Sequence, residues 1–101
     1  MQMLMIVSRS SLLDDLLALL ASLGVDASTQ LPNVHGAGEA GTARGTFDSP
    51  ASNAVILAAL EEDKASHVLA ELEALRNRSA ARRAGGKVPL RVFVLPCTQA
   101  I

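Results

Sequence analysis

The chain has 101 residues, a net charge of −1 and 50% hydrophobic residues, of which only two are aromatic. This length fits one domain with a modest aliphatic core, and the near-neutral charge argues against a nucleic-acid coat or a membrane-surface protein. The single cysteine, Cys97, cannot form an internal disulfide, and the N-terminus shows no basic leader, so we expect a cytoplasmic protein. A thin core favours homo-oligomerisation, because a subunit interface buries apolar surface that one small domain cannot hide.

The first part of the chain predicts a strand, a helix and a second strand. Residues 3–7 form a continuous apolar run, typical of a central strand. Ser11 is the predicted helix N-cap, with Asp14 in the capping-box position, and leucines follow at helical spacing. Gly24 is the predicted C-terminal cap of this helix. Residues 25–31 alternate imperfectly and predict a weaker strand at a sheet edge.

The second part of the chain repeats this strand-helix-strand pattern. Residues 53–60 predict a strand, and the acidic residues 61–63 open a helix that should fade between residues 79 and 84. Residues 90–95 predict a last strand, stopped by Pro96. The order predicts a ferredoxin-like βαββαβ domain spanning residues 1–101, with four antiparallel strands and both helices on one face of the sheet. We expect identical subunits to cover the other face.

A long segment, residues 33–52, separates the second and third predicted strands. It holds four of the seven glycines, and a loop of this length in a small domain is usually functional or disordered. Gly36, Gly38 and Gly41 satisfy G-x-G-x-x-G, but no helical stripe follows, so a Rossmann site is not predicted. Glycines do let backbone amides approach a phosphate or a partner protein closely. Plain flexibility is the alternative interpretation.

Six cations follow the last acidic residue of the chain without an acid among them: Arg76, Arg78, Arg82, Arg83, Lys87 and Arg91. Arginine and lysine supply charge-assisted hydrogen bonds to phosphate, and Gly85-Gly86 would let the chain wrap around an anion. This stretch is therefore the predicted anion site. The alternative is a solvated helix end with favourable dipole contacts.

The sequence gives little support for a catalytic site or a metal site. His35 beside Gly36 could ligate a metal, and His67 lies among apolar residues of the second helix, but neither has a second ligand at close spacing. No nucleophile and base pattern is present, and the strands lack the aromatic residues that stack RNA bases. The sequence predicts a binding module with no metal site.

The C-terminal part resembles the PII signal-transduction proteins. Gly85-Gly86-Lys87, followed by Arg91-Val92-Phe93-Val94-Leu95-Pro96, is similar to the end of that family, where a glycine-rich B-loop leads into a strand ending Phe-Val-Leu-Pro. Residues 33–52 correspond to the family's T-loop and residues 82–90 to its B-loop. The resemblance implies a non-enzymatic homotrimer that binds an adenine nucleotide (AMP, ADP or ATP) between subunits. It also implies a T-loop that docks on a membrane transporter or an enzyme.

Carried over by position, the resemblance implies a nucleotide or anion site made of Gly36, Gly38, Arg82, Arg83, Gly85, Gly86, Lys87 and Arg91. Arg91 stands where the family has its phosphate-binding lysine. The chain departs from the family at Glu39-Ala40, where the T-loop glutamine is expected, and it has no tyrosine. Three residues, 88–90, separate Lys87 from Arg91, and the family's C-terminal arginines are missing.

Two other functions are compatible with the predicted fold. A metal-responsive, CutA-like copper-tolerance protein would use His35 with oxygen ligands from residues 33–52. A small enzyme similar to an acylphosphatase ranks last, because no anion-cradle motif is recognisable.

Overall fold

The computed structural model of the protein describes residues 1–38, 41–42, 52–82 and 88–101. Its elements are β1 (Gln2–Arg9), a 3₁₀ turn (Ser10–Leu12), α1 (Leu13–Ser22), β2 (Thr29–Val34), β3 (Ala37–Gly38), β4 (Gly41–Thr42), β5 (Asn53–Leu60), α2 (Glu62–Arg82) and β6 (Leu90–Pro96). Neither of these helices is long and apolar enough to span a bilayer.

Four strands form one antiparallel sheet in the order β2-β5-β1-β6. The predicted ferredoxin-like topology is confirmed, with β1 and β5 in the centre and β2 and β6 at the edges. The two-residue strands β3 and β4 pair antiparallel in a separate small sheet. Two glycines of the G-x-G-x-x-G pattern, Gly38 and Gly41, lie in these two strands.

Side-chain alternation divides the main sheet into a covered and an uncovered face. Leu4 and Ile6 of β1 and Ile56 of β5 are fully or almost fully buried, and they pack in one cluster with residues of both helices. The helical contribution to this core is Leu16, Leu20, Ala65, Val68 and Leu72. Both helices therefore lie on one face of the sheet, as predicted.

The start of the first helix differs from the prediction. The α-helix begins at Leu13, with Leu12 as its N-cap and no capping side chain, so the predicted N-cap role of Ser11 is wrong. A tertiary hydrogen bond explains this later helix start. The backbone N–H of Ser10 donates to the carbonyl of Ser52 at 2.9 Å, which holds the chain in a 3₁₀ turn before the helix. Asp14 still lies in the first helical turn, where it suits the helix dipole.

The end of this helix is a Schellman motif centred on Gly24. The N–H of Gly24 donates to the carbonyl of Ala21 at 3.1 Å, and the N–H of Val25 donates to that of Leu20 at 2.9 Å. Gly24 has a φ of +77°, the left-handed conformation that this motif requires and that glycine adopts without strain. The predicted cap is confirmed.

We expect Gly24→Ala to destabilise the protein by about 1 kcal/mol or more, because a left-handed backbone is costly for alanine. A Cβ at this position would also meet Lys64 Nζ at 3.0 Å, which that flexible side chain can relieve. Urea unfolding would measure the loss. A variant as stable as the wild type would show that the left-handed conformation is not retained in solution.

The second strand begins later than predicted. It spans Thr29–Val34 instead of residues 25–31, because Val25 is taken up by the Schellman motif and is buried in the core. The strand also continues through Pro32, with a register irregularity between Leu31 and Val34. Its edge position, which was predicted, allows this, since a proline on an edge strand need not break a ladder hydrogen bond.

Candidate functional site

Gly36 and Arg91, two of the residues that the sequence singled out, lie near one end of the main sheet. β1 ends there at Arg9, β2 ends at Val34, β5 begins at Asn53 and β6 begins at Leu90. In an antiparallel sheet the ends of β1 and β2 lie beside the starts of β5 and β6. The chain therefore leaves β2 and enters both β5 and β6 at this end of the sheet.

The sheet face that the helices do not cover is apolar, and we call it the open face. Its large apolar side chains are Met3, Met5, Val7, Leu31, Val55, Leu57, Phe93 and Leu95. Cross-strand pairing places Phe93 opposite Met5 and Met5 opposite Leu57, which makes one row across three strands. Phe93 is 50% exposed, Leu31 44% and Leu95 40%. A contiguous apolar surface of this kind on a small domain marks an interaction site.

Arg91 lies on the open face, at the end where the loops leave. It is the cross-strand partner of Val7, and its neighbours Leu90 and Val92 contact the helical core on the other side of the strand. The Arg91 side chain is exposed. A cation thus borders the apolar part of the open face.

Gly36 follows the opposite edge strand of the sheet, β2, and Gly38 lies in the separate small sheet. Gly36 follows β2, and a Cβ built on it would come 3.2 Å from the amide nitrogen of Asn53. Only a small residue fits so close to this amide. Gly38 belongs to β3. Within one chain, the strands β5 and β1 separate these glycines from Arg91.

The remaining candidate residues fall mostly outside the described part of the structure. Arg83, Gly85, Gly86 and Lys87 lie there, as do residues 39–40 and 43–51 of the T-loop-like segment. Arg82 is the last residue of α2. Their assignment to an anion site remains a prediction.

The basic stretch is divided between the two sides of the sheet. Arg76 lines an open cavity of about 310 Å³ between α2 and β6, on the helical side, whereas Arg91 lies on the open face. Glu73 lines the same cavity and supplies a negative charge near Arg76. Arg78 is exposed on α2 and does not line the cavity. Arg76 and Arg78 therefore do not join Arg91 in one cluster.

A chain of hydrogen bonds joins the two ends of the glycine-rich segment to the 3₁₀ turn that follows β1. The hydroxyls of Ser10 and Ser52 are 2.6 Å apart, and the Ser52 hydroxyl donates to Oδ1 of Asn33 at 3.2 Å. Asn33 has a φ of +57°, a conformation that asparagine tolerates better than most residues. Sequence reasoning missed this clamp, because it joins residues that only the sheet register brings together.

The histidines do not form a metal site in the part of the chain that the structure describes. His35 and His67 are both exposed, and within the described ranges no three His, Cys, Asp or Glu side chains come together as metal ligands.

Strand order, helix placement and the open face define a small α+β domain of the ferredoxin-like class. Residues 1–101 match the family described as Nitrogen regulatory protein P-II. The chain therefore belongs to the P-II family, and the suspected resemblance is confirmed. Proteins of this family are regulators.

Solved structures of CPII, a nitrogen regulatory PII-like protein from Thiomonas intermedia K12, share the fold. The form bound to ADP, AMP and bicarbonate is 22% identical, with a TM-score of 0.72 over 93% of this chain and 82% of CPII. The form bound to ADP and bicarbonate is 21% identical, with a TM-score of 0.70 over 93% and 82%. The apo form is 19% identical, with a TM-score of 0.64 over 93% and 85%. A search of curated proteins found no match.

Proposed function

We propose that this P-II family member is a cytoplasmic homotrimer, not an enzyme, that binds an adenine nucleotide between its subunits. In this proposal the nucleotide state controls a transporter or an enzyme through residues 33–52. The family match supports a regulator, and the structurally similar CPII has been solved with ADP and AMP bound.

The open face is the observation that carries this proposal. Burial of apolar surface stabilises by about 25 cal/mol per Å², and the row Phe93, Met5 and Leu57 has no helix above it. A second copy of the chain is the natural cover, because each copy has the same surface to hide. Assembly would also bury apolar surface that the small core of one chain cannot hide.

The positions of the candidate ligands favour a site between subunits. Gly36 follows one edge strand and Arg91 lies on the other, so three strand spacings separate them, or about 14 Å. In a closed ring, the β2 edge of one subunit faces the β6 edge of the next. This arrangement would bring Gly36 of one copy near Arg91 of another, and a nucleotide phosphate could then contact both.

The residues Arg82, Arg83, Gly85, Gly86 and Lys87 would contribute further contacts to the nucleotide, as the resemblance implies. A ligand that binds one conformation of residues 33–52 more tightly than another is sufficient to switch this segment between the two. A nucleotide that touches Gly36 and Gly38 would supply such a difference.

We expect Arg91→Gln to weaken ADP binding by about 10- to 100-fold, because a charge-assisted hydrogen bond to phosphate contributes about 1.5–3 kcal/mol. Calorimetric titration of wild type and variant with AMP, ADP, ATP, cyclic AMP and bicarbonate measures this effect.

Arg78→Gln is the matched control, since it removes the same charge from an exposed position on α2. It should leave the ADP affinity within about twofold of the wild type, as expected for an exposed charge away from the ligand. No heat with any nucleotide, or equal losses in both variants, would contradict the proposed site.

A further inference from the structure

The sulfur atoms of the chain are concentrated on one pair of strands, β1 and β6. The chain has three methionines and one cysteine, and the nucleotide proposal uses none of them. Met1, Met3 and Met5 occupy alternate positions at the start of β1, so their side chains lie on one face of the sheet. Met3 pairs with Leu95 and Met5 with Phe93, which identifies this face as the open face.

Cys97 is the cross-strand neighbour of Met1. Its backbone N–H donates to the carbonyl of Met1 at 3.4 Å, which continues the register of β1 and β6 by one pair beyond Gln2 and Pro96. Side chains directly opposite each other in such a pair have Cβ atoms about 5 Å apart. Met3 lies about 7 Å from Met1 along the strand. Because methionine side chains are long and flexible, these three sulfurs can meet at one ion.

This sulfur cluster, Met1, Met3 and Cys97, lies at the end of the sheet remote from Gly36 and Arg91, where β1 begins and β6 ends. Met1 is 38% exposed, and Cys97 is a partly exposed free thiol. Within the described ranges, Cys97 does not join two other His, Cys, Asp or Glu side chains as metal ligands. Any further ligands for an ion at Cys97 are therefore the methionine sulfurs.

Sulfur ligands of this kind favour a soft, monovalent metal ion. Thiolate and thioether groups select Cu(I), whereas Zn²⁺ in proteins takes thiolate, imidazole and carboxylate ligands. Charge gives the same preference. One thiolate and two neutral thioethers form a neutral complex with Cu(I), but they would leave a positive charge around Zn²⁺, which is costly on an apolar surface.

We infer that Met1, Met3 and Cys97 form a Cu(I) site at this end of the open face. The site goes beyond the nucleotide proposal and does not depend on it. On binding, the S–H bond of Cys97 breaks and an Sγ–Cu bond forms, so one proton passes to solvent and the copper stays Cu(I). Sequence reasoning missed this cluster, because only the register of the sheet brings Cys97 to Met1.

The test titrates the full-length protein anaerobically with Cu(I), in competition with a chromogenic Cu(I) chelator. We expect the wild type to bind one Cu(I) per chain. Cys97→Ser should weaken binding by more than the roughly 10- to 100-fold that loss of an outer-shell partner costs, because a hydroxyl is a poor ligand for a soft ion. Met3→Leu keeps the side-chain volume but removes the sulfur, so it should weaken binding by about tenfold.

Met5→Leu is the matched control, because it makes the same change two positions further from Cys97. It should leave the Cu(I) affinity within about threefold of the wild type. A wild type that binds no Cu(I), an unchanged affinity in Cys97→Ser, or equal losses in the two leucine variants would overturn the inference. Tighter binding of Zn²⁺ than of Cu(I) would also overturn it. Arg91→Gln should leave Cu(I) binding unchanged, which keeps this result separate from the test of the nucleotide site.

Nuclear magnetic resonance of the wild type keeps the inference testable if the variants fail to fold. Ag(I) is a soft monovalent ion that is not readily oxidised, so it can replace Cu(I) as the probe. The methyl resonances of Met1 and Met3 should shift on titration with Ag(I), whereas that of Met5 should not move. Unchanged resonances of Met1 and Met3 at saturating Ag(I), or a shift of Met5 alone, would overturn the assignment of these ligands.

Discussion

Phe93→Glu should dissociate the proposed trimer into monomers. Phe93 is 50% exposed in the single chain, so the protomer can fold with a charge at this position. In an assembly that covers the open face, the same carboxylate would be buried against Met5 and Leu57 without a partner. Burial of an unpaired charge costs several kcal/mol, which exceeds what a small interface can absorb.

Light scattering coupled to size-exclusion chromatography would measure the change, from three times the chain mass of 10.5 kDa to the mass of one chain. Val94→Glu is the matched control, because Val94 is the next residue, is 41% exposed and pairs with Leu4 on the helical face. It should remain assembled. A monomeric wild type, or a Phe93→Glu variant of wild-type mass, would remove the basis for a site between subunits.

Ile6→Ala should destabilise the fold by about 2–5 kcal/mol, the usual cost of truncating a buried aliphatic side chain and leaving a cavity. Ile6 is fully buried in the central strand β1 and belongs to the core cluster beneath the helices. Because small domains have a total stability of about 5–15 kcal/mol, this loss is a large share of the whole.

Urea unfolding at one fixed protein concentration would measure the effect, since assembly makes the apparent stability concentration-dependent. Val94→Ala removes two methyl groups from an exposed position of β6 and should cost less than about 1 kcal/mol. Equal losses in the two variants would mean that the buried cluster does not dominate the stability of this protein.

Fold prediction succeeded where local patterns agreed with tertiary burial. The strand over residues 53–60 has the predicted bounds, and α2 ends at Arg82, within the predicted range of residues 79–84. In both segments the spacing of apolar residues matches the face that meets the core. The fold prediction failed at the helix start, Ser11, and at the strand start, Val25. There the hydrogen bonds from Ser10 to Ser52 and from Val25 to Leu20 outweighed local preference.

The assignment of Arg91 and Gly36 to a ligand site stays a prediction, and sequence reasoning did not single out Arg9, which the structure places at the end of β1. The missing signal is present in the chain: alternate residues Met3, Met5 and Val7 lead to Arg9 at the end of the strand. The alternation of side chains along a strand is enough to place Arg9 on the same face as these apolar residues. Its burial and its pairing with Asn53 depend on the register between β1 and β5, which no local pattern specifies.

The sequence by itself determined the order of the elements, the ferredoxin-like topology and the family, because apolar periodicity and a short C-terminal motif are local properties of the chain. Only the tertiary structure decided which cations share a surface. It placed Arg76 with Glu73 on the helical side and Arg9 with Arg91 on the open face. Strand register and the side-chain alternation of each strand decide which groups can meet one ligand, whereas distance along the chain does not.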